Sequence, residues 1–199
     1  MKQLLEIIKS SLLLTLILFS FNSFSKTIGR VSEVVGNAFI MTQSGDSINL
    51  KVGDKVLDFA EIFTDEGARV SYVDYFEHVV HLGPSTQVVI MNKMIELKNG
   101  KMWIQSHNNL AGFSVQTSNA VANYADGEFI YTYDSGQLSS QLLVISGTVK
   151  FTNILEDHLF YNVDAGKFSF IDQKYEKGFP RVPTLIGYES YNGLVGTFS

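Results

Sequence analysis

Glu77-His78-Val79-Val80-His81 gathers three potential metal ligands, one Glu and two His, into five residues. On a helix, residues 77 and 81 share a face. On a strand, 78 and 81 point to opposite faces, and 77 and 81 lie about 13 Å apart. A zinc ion holds its ligands at about 2 Å, so a strand cannot bring this set to one ion, and the segment reads as a half-exposed strand. Asp126 and Glu128 flank Gly127. A glycosidase sets two carboxylates about 5 to 9 Å apart in a cleft, and adjacency in a turn supplies no cleft. Asp54, Asp65, Glu66 and Asp74 read as turn residues. Ser85 in Leu82-Gly83-Pro84-Ser85-Thr86 lacks the G-x-S-x-G frame of a nucleophile elbow. His107 and His158 fall in polar loops, and no phosphate-cradling or dinucleotide glycine pattern occurs. The sequence therefore predicts a non-enzymatic protein, with no catalytic, cofactor-binding or metal-ligating set.

The aromatic residues are the other candidates. The chain has fifteen Phe, nine Tyr and one Trp. Trp103, between Met102 and Ile104, fits either a sugar-stacking platform or the core, where tryptophan is mostly buried. Tyr131 and Tyr133 share a strand face with Phe129, and Tyr75 stands beside Tyr72 and Phe76. Such a face is either core or interface. Trp103, Tyr131, Tyr133 and Tyr75 are the candidate partner-binding residues.

The elements that must position these residues are short β runs. Candidate strands are Val34–Thr42, Ile48–Leu50, Ala60–Phe63, Arg69–Val73, Glu77–Leu82, Gln87–Met91, Met94–Leu97 and Lys101–Ile104. Beyond them lie Phe113–Gln116, Ala120–Tyr124, Phe129–Tyr133, Leu142–Ile145, Thr148–Thr152, Phe160–Val163 and Phe168–Ile171. Val, Ile, Phe, Tyr and Thr dominate them, and single glycines punctuate them. Asn99-Gly100 between two runs is the strongest hairpin signal. The pattern predicts an all-β fold of many short strands, solenoid-like or a sandwich.

At the N-terminus, Lys2 and Lys9 precede an apolar run from Leu12 to Phe21, and Ser23 and Ser25 offer small residues for cleavage before Lys26. This is the grammar of a secretory signal peptide. The run is shorter than the roughly 20 apolar residues of a membrane span, and no later run matches it. Cleavage after Ser25 leaves 174 of the 199 residues without a stable membrane span, and shifts net charge from −5 to −6. An acidic chain with scattered lysines disfavours nucleic acid, whose affinity rests on clustered Lys and Arg. With no cysteine, an exported domain must rely on buried apolar surface rather than disulfides, and it carries no lipid anchor on a thiol. The expected organisation is a signal peptide over 1–25, one all-β domain over 26–172, and an extended C-terminal arm over 173–199. In that arm Pro180 and Pro183 interrupt regular ladders.

Four blocks in order resemble the FecR domain family. They are Ile28-Gly29-Arg30-Val31 with Gly36-Asn37-Ala38; Leu50-Lys51-Val52-Gly53-Asp54-Lys55-Val56 with Ile62-Phe63-Thr64; Ala68 to Leu82 with Pro84-Ser85-Thr86; and the alternating runs from Phe113 to Phe170. The chain departs from the family at Asp74-Tyr75-Phe76, where an Asp-Gly turn is usual, and at Asp126-Gly127-Glu128, where Arg-Gly-Thr is usual. Only nine residues precede Ser10, too few for the sigma-binding segment of membrane-bound family members. The resemblance thus implies a free-standing FecR-like sensor or scaffold module in the periplasm of a Gram-negative bacterium, binding an envelope protein. The alternative is a carbohydrate- or peptidoglycan-binding module that uses Trp103 and the tyrosines.

Overall fold

The computed structural model describes residues 26–41, 45–107, 112–172, 174 and 178–198. The signal peptide expected over 1–25 lies outside them. Seventeen strands are described, and their order is simple. β1 (Thr27–Val35), β2 (Ala38–Met41), β3 (Ser47–Asn49), β4 (Lys55–Leu57), β5 (Ala60–Thr64), β6 (Arg69–Asp74), β7 (Val79–Leu82) and β8 (Gln87–Met91) precede a long β9 (Met94–Ser106). After it come β10 (Phe113–Gln116), β11 (Ala120–Tyr124), β12 (Gly127–Asp134), β13 (Ser139–Ser146), β14 (Thr148–Asn153), β15 (Phe160–Asp164), β16 (Lys167–Asp172) and β17 (Thr184–Leu185). Among the described residues one helix, α1 (Tyr188–Val195), follows, and Gly196–Phe198 add a 3-10 turn.

The strands form two sheets that share β9. The first runs β4-β1-β6-β7-β9-β12-β13-β16-β17. The second runs β3-β2-β5-β8-β9-β10-β11-β14-β15. In both, every strand earlier in the chain lies on one side of β9 and every later strand on the other. All pairings are antiparallel except β9 with β10. The inner faces meet in one core, with Tyr124 of β11 4.8 Å from Phe129 of β12 and Tyr131 5.9 Å from Phe151 of β14. Among the readings left open by the sequence, the observed one is a two-layer all-β arrangement.

β9 corrects the expected hairpin. Asn99-Gly100 does not turn the chain back; it is a corner within one strand. Met94–Asn99 pair with β8 and β10, and Gly100–Ser106 with β12 and β7. The buried positions change parity across it, from Ile95 and Leu97 to Met102 and Ile104. An extra residue does this by shifting which side chains face inward, and strands that switch sheets use such bulges. The register slips between Gln87 and Val88 opposite it.

Two further differences are local. The expected strand Val34–Thr42 is broken at Gly36 (φ +74°), which packs against Ala68 where a Cβ would meet the Ala68 Cα at 3.0 Å. β4, only three residues long with one buried side chain, is too short to show alternation. In the segment expected as an extended arm, Arg181 donates its backbone N–H to the Phe170 carbonyl, and the chain past Pro183 forms β17 and then α1.

Candidate functional site

Alternation along the first sheet sends one set of side chains to its outer face. On β7 the outward residue is His81, on β9 Trp103, on β12 Ile130, on β13 Leu143 and on β16 Phe168. They are direct cross-strand partners: His81 opposite Trp103, Trp103 opposite Ile130, Ile130 opposite Leu143, Leu143 opposite Phe168. The sheet thus carries a continuous apolar row on the side away from the core. Cross-strand neighbours about 5 Å apart form one surface.

This row is covered. Ile130 and Leu143 are each 1% exposed, although neither belongs to the inner core cluster. The tail meets the row at both of its ends. At one end the Phe198 ring stands 5.7 Å from Trp103, edge to face, and Lys101 Nζ reaches Thr197 Oγ1 at 3.4 Å. At the other end Leu185, Ile186, Ser190 and Leu194 face Gln141 and Phe168 across a groove of about 400 Å³. The grip on the tail side is slight. β17 pairs with β16 through two residues, both exposed, with Leu185 at 81%. α1 buries none of its residues, and its N-cap, Gly187, provides no side-chain hydrogen bond. Uncapped helices of eight residues have little stability of their own.

A polar ladder continues the row across the other half of the sheet. Ser71 Oγ donates to Glu33 Oε2 at 3.1 Å and meets His81 Nδ1 at 2.8 Å. His81 Nε2 lies 3.4 Å from Gln105 Oε1, and Gln105 Nε2 donates to Glu128 Oε1 at 3.0 Å. The His81 ring also packs 5.5 Å from Trp103. Serine, histidine and carboxylate meet here, but in an order unlike a nucleophilic triad. There the acid holds the ring from the side opposite the serine; here Glu33 reaches the serine and an amide lies behind the ring. The ladder binds five strands and orients the Trp103 neighbourhood. Trp103 Nε1 itself is buried without an acceptor.

The four candidate aromatics separate. Trp103 is half-buried on the outer row. Tyr131 and Tyr133 are 0% and 3% exposed and belong to the inner core, so at these two positions the aromatic face is interior, not a surface. Tyr133 hydrogen-bonds the Ser118 hydroxyl. Tyr75 is 64% exposed on the turn after β6, outside the row. The structure does not bring the four into one site. Ile130, Leu143 and Phe168 join Trp103 instead. Sequence reasoning passed over them because an apolar residue pointing outward looks like any buried strand residue until register is known.

The charged candidates also separate. The expected strand Glu77–Leu82 begins only at Val79: His78, just before it, packs inward against Phe113 and Tyr124, while His81 faces outward. His78 is fully buried, its Nδ1 3.0 Å from Asp74 Oδ2, while Glu77 sits exposed in a turn at φ +65°. Glu128 joins the ladder, while Asp126 stays at the exposed turn. Among the described residues, no group of three or more His, Asp or Glu is placed to hold a metal ion.

No family model matches the chain, and no curated protein matches it in sequence. Its fold is similar to that of a candidate anti-sigma factor from Parabacteroides distasonis ATCC 8503, seen in two crystal structures at 2.50 and 1.65 Å. Both superpose with a TM-score of 0.55, at 15% and 14% identity over 68% of this chain. The chain spans 63% and 64% of those two chains, just under two thirds of their length. At this identity the likeness is one of fold: an all-β, two-layer arrangement.

Proposed function

We propose that the protein is a non-enzymatic, FecR-like regulatory module of the periplasm that binds an envelope protein through the outer face of its first sheet. The observation that carries this reading is the row Trp103–Ile130–Leu143–Phe168, an apolar outer face under a tail that buries no helical residue of its own. A contiguous apolar face of this kind, once its cover lifts, is the type of surface that marks interaction sites. The fold likeness to a candidate anti-sigma factor supports a regulatory role, and the N-terminal grammar supports export.

A photo-crosslinking residue at Leu185, beside the row, tests the reading in cells. Leu155 serves as the control, because it is equally exposed, at 83% against 81%, and lies on the other sheet between β14 and β15. The reading expects one envelope protein captured from Leu185 and not from Leu155. The same adducts from both positions, or none, would overturn it. Recovery of peptidoglycan fragments alone from Leu185 would favour the cell-wall-binding alternative. For that reading Trp103 is the one accessible stacking group among Trp103, Tyr131 and Tyr133.

A further inference from the structure

We infer that the partner segment is an amphipathic helix, and that the chain's own tail is a weaker copy of it, held in the same place. The inference rests on the interaction reading above and names the class of its partner.

Four tail residues recur at a spacing of four: Ile186, Ser190, Leu194 and Phe198. The first three line the groove at Phe168, and the fourth packs on Trp103. Ser190 and Leu194 lie one turn apart on α1, Ile186 just precedes the helix, and Phe198 sits in the 3-10 turn that follows it. The dimensions agree. Trp103 and Phe168 are three strand steps apart, about 14 Å at the usual strand separation. Ser190 and Phe198 are eight residues apart, about 13 Å along α1 and the 3-10 turn after it. A helix laid across these strands therefore meets the row along its length. Helix-in-groove recognition uses such apolar anchors.

The tail fits this site imperfectly, and each flaw is one that a competitor corrects. Ser190 offers a hydroxyl where the row offers apolar surface. Gly193 weakens the helix interior by about 1 kcal/mol relative to alanine. Gly187 gives no side-chain cap. The firmest anchor is Phe198, whose ring fits a niche formed by Trp103, Lys101 and Gly83; a Cβ on Gly83 would come within 3.3 Å of the ring. A partner helix with an aromatic at the last position and aliphatic residues four and eight before it would displace the tail. A carbonyl or hydroxyl beside its aromatic would also satisfy the orphaned Trp103 Nε1.

Trp103 is the only tryptophan, so its emission reports on the niche alone. In the full chain, Phe198→Ala should move that emission to longer wavelength. A synthetic peptide of residues 186–198 should move it back saturably. The same peptide carrying Ser190→Leu and Gly193→Ala should bind at least tenfold tighter, and a peptide carrying Phe198→Ala should not bind. Leu194→Ser in the full chain loosens the tail without touching Trp103 and should rank the peptides identically, so misfolding of one variant leaves the test standing. Unchanged emission in both variants, or an improved peptide no tighter than the native one, overturns the inference. Failure here with Leu185 crosslinking intact removes the helix class alone. Loss of the crosslink removes the interaction reading itself.

Discussion

Gly100 packs directly against Thr86: a Cβ on Gly100 would lie 2.6 Å from the Thr86 Cα, and its backbone sits at φ +98°. Thr86 Oγ1 in turn accepts the Lys101 N–H at 3.1 Å, and the Thr86 N–H is held by Thr64 Oγ1 at 2.9 Å. This contact is where β9 leaves one sheet for the other. The corner decides which residues of Lys101–Ser106 face outward, Trp103 among them.

Gly100→Ala should therefore cost about 2–5 kcal/mol, combining left-handed strain with a clash against backbone. Gly53 is the matched control, at φ +92° with nothing within 4 Å of its Cβ position. Gly53→Ala should cost only the strain, about 1 kcal/mol. Urea unfolding of both variants checks the difference, and equal costs would mean that the Thr86 contact carries no weight.

Asp74→Ala should destabilise by about 2–4 kcal/mol, because the loss strands buried donors. Asp74 Oδ1 accepts the Phe76 and His78 N–H groups at 2.8 and 2.9 Å, and Oδ2 faces His78 Nδ1. His78 is fully buried, with its ring 4.2 Å from Phe113. Asp74→Asn keeps one oxygen for the turn and should cost less than half as much by the same unfolding assay.

The architecture was legible in the sequence where alternation was clean. β8, β10 and β11 end where the pattern of Gln87–Met91, Phe113–Gln116 and Ala120–Tyr124 ends. The corner at Asn99-Gly100 was not, because the same dipeptide serves a hairpin and a bulge. Only the parity change from Leu97 to Met102 distinguishes them. The outer row was hidden for a related reason. Ile130 and Leu143 sit within runs buried on both faces, Phe129-Ile130-Tyr131 and Leu142-Leu143-Val144, which read as continuous apolar strand. That pattern does carry a signal, since a strand apolar on both sides needs a cover on each.

Three tyrosines should resist ionisation until the fold opens. Burial raises the Tyr72 phenol well above its ordinary 10.0, with Tyr124 and Asp74 adding to it. Burial likewise raises Tyr124 and Tyr131. A folded value above the unfolded one gives stability that is present below about pH 10 and lost as pH rises toward the folded value. Phenolate absorbance should therefore appear in two stages, the second coinciding with loss of circular dichroism. Ionisation of Tyr72, Tyr124 and Tyr131 near 10 with the fold intact would contradict this.

The Glu61–Lys98 pair should contribute at neutral pH and fade in acid. Burial pushes the Glu61 carboxyl up, but hydrogen bonds from Lys98 and Gln87, each at 2.9 Å, hold it below its usual 4.5. A lowered carboxylate gives stability present above the unfolded value and lost as pH falls through the folded one. The stability gap between the native chain and Lys98→Met should thus shrink as pH falls below about 4. A gap independent of pH would show that Lys98 acts through its methylene stem.

Amide hydrogen exchange of the intact chain tests most directly the claim that a firm two-sheet body carries a loosely held tail over an apolar face. The account predicts that β9 amides exchange last, since both sheets must part to free them, and that amides of 184–198 exchange first, before any global opening. Tail amides as protected as those of β9 would contradict it, and would make the tail an integral part of the fold rather than a cover over a docking surface.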